Sequence, residues 1–508
     1  MKSFKIGHLD VGQDAPVFVI AELSANHGQR KDIALATIEA AARAGANAIK
    51  LQTYTPDTLT LASSAPHFVV KTNNVWAGRT LHDLYREAMT PWEWHAELKA
   101  CAESLGLLLF STPFDPTAVE FLEGLDVPAH KVASFELNDL PLVERMARTG
   151  KPMIMSTGMA TLGDIEAAIA VCRGAGNEQI ALLRCVSCYP AKPESMALSS
   201  FGVLAGFGTV VGLSDHTRDA TVAIASVALG AKLIEKHFIV DRSVGGPDSF
   251  FSLEPSEFRA MVGAVRDAEK ALGKPRFGPS PDELASTAFR RSLFVARDVP
   301  AGTVLTCDDV RSVRPSAGLA PRYMPAILGR VATVALTAAT PLAWDMVGAA
   351  PAPRVSLRAA NGDDSERLLG WRNDPETRAM SLTNEVIGLD QHAVWLHQSL
   401  LSEARRLTIA EAGGAPVGTV RLDRHSHGEW EVSLTVAPEA RGQGYAPDLL
   451  RAAEALAREI GAVRLVAVIK AENEASVRAF KRAGYYGFAA HAKSPGVLAC
   501  ERRIVDYA

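Results

Sequence analysis

Eight short runs of apolar, β-forming residues recur at regular intervals in the first half of the chain. They are Val17–Ala21, Ala48–Leu51, Leu107–Phe110, Lys131–Ala133, Pro152–Met155, Ile180–Leu183, Thr209–Leu213 and Leu233–Ile234. The segments between them are rich in Ala, Leu and Glu, as helices are. Eight strands alternating with helices over about 250 residues predict a (β/α)₈ TIM barrel. A doubly wound sheet is the alternative, but no Gly-rich dinucleotide motif follows the first strand.

Two Pro-rich breaks divide the remaining chain. The first, GKPRFGPSP, spans residues 273–281, and the second, AAPAP, spans residues 349–353. Neither composition can continue a helix. They predict three domains, at residues 1–275, 288–348 and 355–508.

Composition restricts the class of protein. The chain has 508 residues, of which 48% are hydrophobic and 22% charged, which is typical of globular domains. A net charge of −4 gives no basic field for nucleic acid or an acidic membrane surface. We expect no secretory signal and no membrane span, because no apolar stretch approaches the roughly 18 residues required. Six cysteines in so long a chain argue against a disulfide scaffold, so we expect a cytoplasmic protein.

Polar side chains follow almost every run of the predicted barrel, where catalytic groups of such barrels lie. The candidates are Glu22, Lys50, Thr112, Lys131, Ser134, Glu136, Ser156, Ser187, Tyr189, Ser214, His216 and His237. Two lysines inside apolar strands would be costly to bury without a partner, and an anionic ligand would supply one. Two histidines on neighbouring strands can share a divalent metal that polarises a carbonyl. These residues predict an anion-binding, metal-assisted carbonyl enzyme and do not separate an aldolase from a condensing synthase.

Several motifs in this half resemble the nonulosonic (sialic) acid synthase family. They are AELSANH (21–27), IKLQTYTPD (49–57), STPFD (111–115), KVASFE (131–136), STGM (156–159), GLSDHT (212–217) and EKHF (235–238). TPWEWH (90–95) and CVSCYP (185–190) are more similar to the pseudaminate-forming branch than to the N-acetylneuraminate branch. The resemblance implies a condensation of phosphoenolpyruvate with the aldehyde of an open-chain amino sugar. For that branch the sugar is 2,4-diacetamido-2,4,6-trideoxy-L-altrose and the products are pseudaminic acid and phosphate.

The resemblance also implies roles for single residues. Phosphoenolpyruvate would be held by Lys50, Thr112, Lys131, Ser134, Ser156 and Ser214. His216 and His237 would bind Mn²⁺, with Mg²⁺ or Co²⁺ as alternatives, and Glu136 would manage the water or proton at C2. The sugar would contact Glu22, Tyr189 and Asp248. Ser187 stands where N-acetylneuraminate enzymes carry Asn, whereas Gly246-Pro247-Asp248 resembles the neuraminate branch, so N-acetylneuraminate or legionaminate synthesis remains the alternative.

The second piece resembles the antifreeze-like SAF domain, a small β-rich fold. The similarity lies in RRSLFVARDVPAGTVLTCDDV (290–310) and VRPSAGL (313–319). In that family this domain lies over the barrel of a partner subunit, where Arg314 would reach the sugar. The resemblance therefore implies a domain-swapped homodimer, and a passive structural cover is the alternative.

The third piece carries a glycine-rich motif, Arg441-Gly442-Gln443-Gly444-Tyr445-Ala446, between a predicted strand (432–436) and a helix. Small residues at a helix N-terminus let backbone N–H groups close on a pyrophosphate. The motif, together with Asn473 and Ser476, resembles the α+β GNAT acetyltransferases, and it implies that acetyl-CoA binds Arg441, Gly442, Gly444, Ala446, Asn473 and Ser476. Phe480 stands where many of these enzymes carry a Tyr acid, with Tyr485, Tyr486 or no side-chain acid as the alternatives. The implied acceptor is the 4-amino group of a UDP-linked amino sugar, and a protein or general amine is the competing acceptor.

Overall fold

The computed structural model describes residues 3–71, 76–492 and 494–504. The chain divides into two compact units, Met1–Arg276 and Phe277–Ala508. None of the helices in these described ranges is both long and apolar enough to span a bilayer.

The first unit is built on ten strands and ten helices. The strands are β1 (Phe4–Ile6), β2 (Leu9–Val11), β3 (Phe18–Glu22), β4 (Ala48–Thr53), β5 (Leu108–Pro113), β6 (His130–Val132), β7 (Met153–Ser156), β8 (Ile180–Cys185), β9 (Val210–Asp215) and β10 (Leu233–His237). The helices are α1 (Lys31–Ala44), α2 (Pro56–Leu59), α3 (Leu81–Ala88), α4 (His95–Ser104), α5 (Pro116–Gly124), α6 (Leu140–Ala147), α7 (Leu162–Gly174), α8 (Phe201–Gly206), α9 (Thr221–Ala228) and α10 (Pro255–Leu272).

Strands β3 to β10 close into a parallel barrel in chain order, with β10 pairing with β3. The predicted (β/α)₈ barrel is therefore confirmed, and each predicted run overlaps its strand. Several helices begin at ordinary capping signals. Asp115 accepts hydrogen bonds from the first N–H groups of α5, which starts at Pro116, and Thr161 forms a capping box with Asp164 at α7.

Side chains that point into the barrel change character along each strand. Near the strand starts they form one apolar cluster, which includes Phe18, Ala48, Phe110 and Val210 and is covered by the β1–β2 hairpin. Two to four residues further on, the same alternating positions carry Glu22, Lys50, Thr112 and Ser214, and all four are buried. The apolar layer stabilises the barrel, and the polar layer above it forms the candidate site.

The second unit contains a small domain followed by a seven-stranded domain. The small domain has β11 (Ser292–Val295), β12 (Val310–Val313) and α11 (Met324–Ile327), with its own apolar cluster. The seven-stranded domain contains β13 (Ser356–Ala359), β14 (Arg405–Ala412), β15 (Ala415–Ser426), β16 (Glu429–Val436), β17 (Arg464–Lys470), β18 (Tyr486–Ala490) and β19 (Val497–Arg503), ordered β13-β14-β15-β16-β17-β19-β18. Its helices are α12 (Ser365–Asn373), α13 (Pro375–Met380), α14 (Leu389–Leu401), α15 (Ala446–Glu459) and α16 (Glu474–Arg482).

Arg502 of β19 ties the small domain to the seven-stranded domain. Its Nη1 donates to the carbonyl oxygens of Pro325 and Leu328, both at 2.9 Å, and its Nε donates to Glu454 Oε2 at 3.0 Å. A second link is the ion pair between Lys481 and Asp308, at 2.7 Å. Because Arg502 is only 8% exposed, these contacts form a buried connection between the two domains in addition to the covalent linker.

Candidate active sites

Lys50 lies at the centre of the polar layer of the barrel. Its Nζ is 2.9 Å from Glu22 Oε2 and 3.5 Å from Glu235 Oε1, and it donates to Thr112 Oγ1 at 3.2 Å. Burial opposes the charged ammonium, but the two carboxylates outweigh it and raise the pKa of Lys50. Lys50 thus has partners within the protein, since Glu22 and Glu235 supply negative charge, and the anionic ligand expected for it stays a prediction.

Lys131 is less well compensated than Lys50. Its Nζ donates to Ser156 Oγ at 2.6 Å and to the carbonyl of Val132 at 3.0 Å, and its nearest carboxylate is Glu235 at 3.9 Å. Burial lowers the pKa of Lys131, and Glu235 opposes that shift only in part. A buried cation beside Ser156 and Ser214, whose hydroxyl donates to Glu235 at 3.3 Å, is the arrangement that an anionic ligand would stabilise.

Ser134, Ser187 and Gly158 meet at one point of the barrel mouth. The Gly158 N–H donates to Ser134 Oγ at 3.1 Å. A Cβ at Gly158 would crowd the hydroxyls of Ser187 and Ser134, so the glycine lets these three residues approach closely. The Ser187 hydroxyl is buried without a hydrogen-bond partner among the described residues, and it is therefore available to a ligand.

Glu136 follows Ser134 in the loop after β6. Its Oε2 is buried and has no hydrogen-bond partner in the part of the chain that the structure describes. Burial raises the pKa of the Glu136 carboxyl to about 7, and Lys131 opposes the shift. A carboxyl group with a pKa near neutrality can both accept and return a proton, as a general base must.

His216 and His237 lie side by side, with their ring centroids 5.3 Å apart. His216 Nδ1 bonds to the carbonyl of Val186 at 2.8 Å, which leaves its Nε2 for a ligand. Among the residues that the structure describes, the buried Nδ1 of His237 has no hydrogen-bond partner. Burial, and then His216, lowers the pKa of His237 well below its ordinary value, so this ring is neutral as a ligand must be. Burial disfavours the charged form of His216, but Cys185 and the carbonyl of Val186 outweigh it and raise its pKa.

The two imidazoles therefore fit a divalent ion that takes its remaining ligands from substrate and water. The described residues contain no group of three or more His, Cys, Asp or Glu placed to hold a metal. Two protein ligands leave several coordination positions open, which suits an ion that binds its substrate directly.

The residues predicted to bind the sugar are connected by a short hydrogen-bond chain. Gln52 Nε2 donates to Glu22 Oε1 at 3.0 Å and to Ser24 Oγ at 2.8 Å, and Ser24 Oγ donates to Asp248 Oδ2. Burial raises the pKa of Asp248, and burial followed by Glu235 raises that of Glu22 to about 7 against the pull of Lys50. The Tyr189 ring closes this side, with its centroid 4.4 Å from that of His216.

The glycine-rich loop of the seven-stranded domain lies between β16 and α15. Gly442 and Gly444 both have φ near 77°, a left-handed conformation that glycine adopts without strain. Arg354 donates to the carbonyl oxygens of Gln443 and Gly444, at 3.2 and 2.9 Å, and to Asp448 at 2.7 Å. These hydrogen bonds fix the carbonyl oxygens of the loop. The loop precedes a 14-residue helix that begins at Ala446, and a loop of this form at a helix N-terminus can bind an anion.

The parallel strands β16 and β17 separate close to this loop. They pair only from Glu429 to Glu431 and from Arg464 to Val466, although β16 runs on to Val436 and β17 to Lys470. Backbone groups of the separated segments face an opening in the sheet. A ligand with amide groups can pair with such strand edges, as an added strand would.

Three family models match the chain. They are the NeuB family model over residues 37–276, the SAF domain model over residues 290–348 and the acetyltransferase (GNAT) domain model over residues 354–486. A pseudaminic acid synthase of Helicobacter pylori is 44% identical over 333 residues, which cover 65% of this chain and 97% of that protein. The chain belongs to the NeuB family.

Two further relatives lie at greater distance. An N,N'-diacetyllegionaminic acid synthase of Legionella pneumophila is 34% identical over 344 residues, covering 66% of this chain and 96% of that protein. The crystal structure of an N-acetylneuraminic acid synthetase from Leptospira borgpetersenii, in complex with citrate, is 30% identical with a TM-score of 0.51 and covers 56% of this chain and 95% of that one. This NeuB-family chain is therefore an enzyme with a (β/α)₈ barrel, an SAF domain and a GNAT acetyltransferase domain.

Three further residues connect the predicted site residues of this NeuB-family barrel. The ends of the predicted strands included Gln52 and Glu235, to which no role was assigned, and did not single out Ser24. Glu235 contacts both Lys50 and Ser214, while Gln52 and Ser24 connect Glu22 with Asp248. The signal for all three was their inward position two residues before or after a predicted site residue, since alternate residues of a strand share a face. Because those predicted site residues point into the barrel, the alternation of inward and outward positions along each strand identifies Glu235, Gln52 and Ser24 as well.

The structure gives the contacts and exposure of the predicted site residues in the SAF and GNAT domains, and the roles of these residues stay predictions. Arg314 follows β12 and is exposed within this chain. The side chain of Arg441 is engaged by Asp374 and by Glu376 at 2.9 Å, so the motif offers its backbone rather than this guanidinium to a phosphate. Asn473 caps α16 by accepting the N–H of Ser476 at 3.0 Å.

The tyrosines considered as substitutes for an acid at Phe480 lie elsewhere. The Tyr485 hydroxyl is buried in the core of the GNAT domain without a partner, and burial, followed by Glu454, raises its pKa well above the ordinary value. Tyr486 packs against the apolar cluster of the SAF domain. Neither position favours proton transfer to a bound cofactor.

Proposed function

We propose that the barrel condenses phosphoenolpyruvate with open-chain 2,4-diacetamido-2,4,6-trideoxy-L-altrose to give pseudaminic acid and phosphate. The observation that carries this proposal is the 44% identity to pseudaminic acid synthases over nearly their whole length. The buried ring of Lys50, Lys131, Glu136, His216 and His237 supplies the groups that the reaction needs. C3 of phosphoenolpyruvate bonds to the aldehyde carbon C1, water adds to C2, and the C2–O bond to phosphate breaks.

We assign one or more groups of the barrel to each step. Lys131, with the hydroxyls of Thr112, Ser134, Ser156 and Ser214, holds the phosphate and carboxylate of phosphoenolpyruvate by charge-assisted hydrogen bonds. The unpartnered Oε2 of Glu136 accepts a proton from the water that attacks C2. A divalent ion on His216 and His237 would orient and polarise the sugar aldehyde.

The sugar-binding side is formed by Glu22, Tyr189, Asp248 and Ser187. We propose that the free hydroxyl of Ser187 takes part in the choice between nonulosonate precursors, since a site that hydrogen-bonds its substrate discriminates against analogues. The legionaminic acid synthase relative, at 34% identity, keeps a legionaminate or N-acetylneuraminate precursor as the alternative.

Product analysis tests the barrel proposal. Mass spectrometry of reactions containing phosphoenolpyruvate and each of three precursors, the altrose sugar, N-acetylmannosamine and the legionaminate precursor, should give the highest kcat/KM with the altrose sugar. Release of phosphate should match formation of the nine-carbon acid one to one. Faster turnover of either other precursor would reassign the enzyme to that sugar.

We propose in addition that the chain works as a homodimer in which the SAF domain of one subunit covers the barrel of the other. Arg314 would then reach the N-acetyl region of the sugar. Support comes from apolar side chains exposed beside the barrel site, since Phe135 is 58% exposed and Met159 is 64% exposed. Such residues next to polar site residues are typical of a surface that another domain covers.

The GNAT domain provides a second proposed activity, the transfer of acetyl from acetyl-CoA to the 4-amino group of a UDP-linked amino sugar. The left-handed glycines Gly442 and Gly444 before α15 support binding of the CoA diphosphate, and the opening between β16 and β17 supports binding of its amide-containing arm. CoA release should be fast with the UDP-4-amino sugar and near background with peptide amines. The reverse order would make the domain a protein acetyltransferase.

A further inference from the structure

Two arginines of the GNAT domain, Arg372 at the end of α12 and Arg378 in α13, lack the acidic partners that most of its arginines have. Arg354 and Arg451 share Asp448, Arg358 pairs with Asp364, and Arg441 pairs with Asp374. Within the described ranges neither Arg372 nor Arg378 forms an ion pair. Both are half-buried, so their charges are only partly screened by water.

The contacts of the two guanidinium groups are to neutral oxygens. Arg372 Nη2 donates to the carbonyl and the hydroxyl of Thr383, at 2.9 and 2.8 Å, and its Nη1 is buried without an acceptor. Arg378 donates to the carbonyls of Asn373 and Asn384, both at 3.1 Å. Burial, and then the neighbouring charge of Arg378, lowers the pKa of Arg372 below its ordinary value.

Lys470 adds a third positive charge beside these arginines. It is the last residue of β17, and its Nζ donates to the carbonyl of Ala379 at 2.7 Å, directly after Arg378 in the chain. Its nearest carboxylate, Glu472, is 3.8 Å away and 71% exposed. An ion pair of that length with a largely exposed carboxylate contributes little, so the cluster keeps a net positive charge.

Anchoring of the 381–388 segment does not require these charges. Asn373 already holds that segment with a neutral amide, which donates to the carbonyl of Ile387 at 2.8 Å and accepts its N–H at 2.9 Å. Two like charges placed side by side under a loop repel each other and destabilise it. A bound anion would remove that repulsion and would satisfy the unpaired Nη1 of Arg372.

The cluster adjoins the opening between β16 and β17. Lys470 ends β17 on the segment that has separated from β16, and this opening is the proposed path of the CoA arm. The phosphates of CoA itself are proposed to bind the loop from Gly442 to Ala446. The one arginine in that loop's motif, Arg441, is neutralised by Asp374 and Glu376.

We propose that Arg372, Arg378 and Lys470 bind the diphosphate of a nucleoside-diphosphate-linked amino sugar, the acceptor of the acetyl group. This inference rests on the acetyl transfer proposed above and adds how the acceptor is recognised. Arginine presents a planar pair of N–H donors that matches phosphate oxygens, and lysine adds a compact charge. The diphosphate held at the end of β17 places the sugar amine next to the opening between β16 and β17.

Binding of UDP to the full-length chain tests the site directly. Isothermal titration in the presence of acetyl-CoA compares wild type with Arg378→Gln and Lys470→Gln, each of which removes one positive charge. We expect UDP affinity to fall about tenfold in each variant, the usual effect of losing one charged hydrogen bond. Arg406→Gln is the matched control, since Arg406 also donates only to carbonyls, at 3.0 Å, and lies on β14.

Kinetics supply the second readout. In both variants KM for the nucleotide-linked amino sugar should rise about tenfold, while KM for acetyl-CoA stays within about twofold. An amino sugar without phosphate should be acetylated equally well by wild type and variants. A rise in KM for acetyl-CoA instead would assign these cations to CoA and overturn the inference.

The outcomes separate this inference from the proposed acetyl transfer. Loss of UDP binding in the variants without acetylation of any nucleotide sugar would keep the diphosphate site and remove the proposed acceptor. Acetylation of the nucleotide sugar with unchanged KM in the variants would keep the proposed function and overturn the diphosphate site. Absence of UDP binding to wild type would overturn the site as well.

Discussion

Replacement of Glu136 by Gln should abolish synthesis of the nine-carbon sugar and at the same time make the barrel harder to unfold at pH 8. The loss of activity follows from the proposed proton transfer at C2, which an amide cannot perform. Positioned proton transfer contributes about 10² to 10⁴-fold, so kcat should fall by that factor. Mass spectrometry or phosphate release measures it.

The gain in stability follows from the pKa of this carboxyl. Burial raises it from 4.5 to about 7 in the folded protein. A raised pKa means that the protonated form stabilises the fold fully below pH 4.5, and that this contribution is lost as the pH rises through 7. Gln has no charge to bury, so Glu136→Gln should match wild type near pH 4.5 and exceed it by about 3 kcal/mol at pH 8.

Thermal unfolding at both pH values checks this expectation. Glu166→Gln is the control, because Glu166 is exposed on α7 and the substitution should change neither activity nor stability. If Glu136→Gln destabilised the barrel at pH 8, Lys131 would be holding the carboxyl in its charged form. Retention of activity would remove Glu136 from the proton transfer.

The barrel and its polar ring could be predicted from sequence because both follow from local patterns. Short β-forming runs set the strands, and their ends set the positions of Lys50, Lys131 and His237. The partners across the ring could not be predicted in the same way. The pairing of Lys50 with Glu22 and of Lys131 with Ser156 joins residues 25 or more positions apart, and it depends on strand order and on how far each strand runs.

Less of the GNAT site could be predicted, because the glycine-rich motif predicts the conformation of one loop but not which side chains contact that loop. The positive φ angles at Gly442 and Gly444 agree with the pattern of small residues. The engagement of Arg441 by Asp374, and of the loop carbonyls by Arg354, depends on tertiary contacts across 67 and about 90 residues. No spacing rule in a single sequence reports such contacts.

Removal of metal should stop the barrel reaction and leave the GNAT reaction of the same chain unchanged. His216 and His237 are the only two proposed protein ligands, so an ion held by them depends on both. We expect dialysis against EDTA to reduce synthase activity to background, and Mn²⁺, Mg²⁺ or Co²⁺ to restore it in an order that identifies the preferred ion. CoA release by the same sample is the internal control for an intact chain.

Substitution of either histidine should abolish synthase activity, as chelation does, but added metal should not restore it. In His216→Ala and in His237→Ala, binding of Mn²⁺ measured by electron paramagnetic resonance should fall to background, because loss of one of two protein ligands leaves a single imidazole. His8→Ala is the matched control, since His8 is exposed in the turn between β1 and β2 and faces none of the polar ring. Full activity after exhaustive chelation would contradict the proposed metal site. The buried, neutral ring of His237 would then act as a hydrogen-bonding group for the sugar. Its Nδ1, which has no hydrogen-bond partner among the described residues and lies 3.8 Å from Asp248 Oδ2, would then be the atom that contacts the sugar.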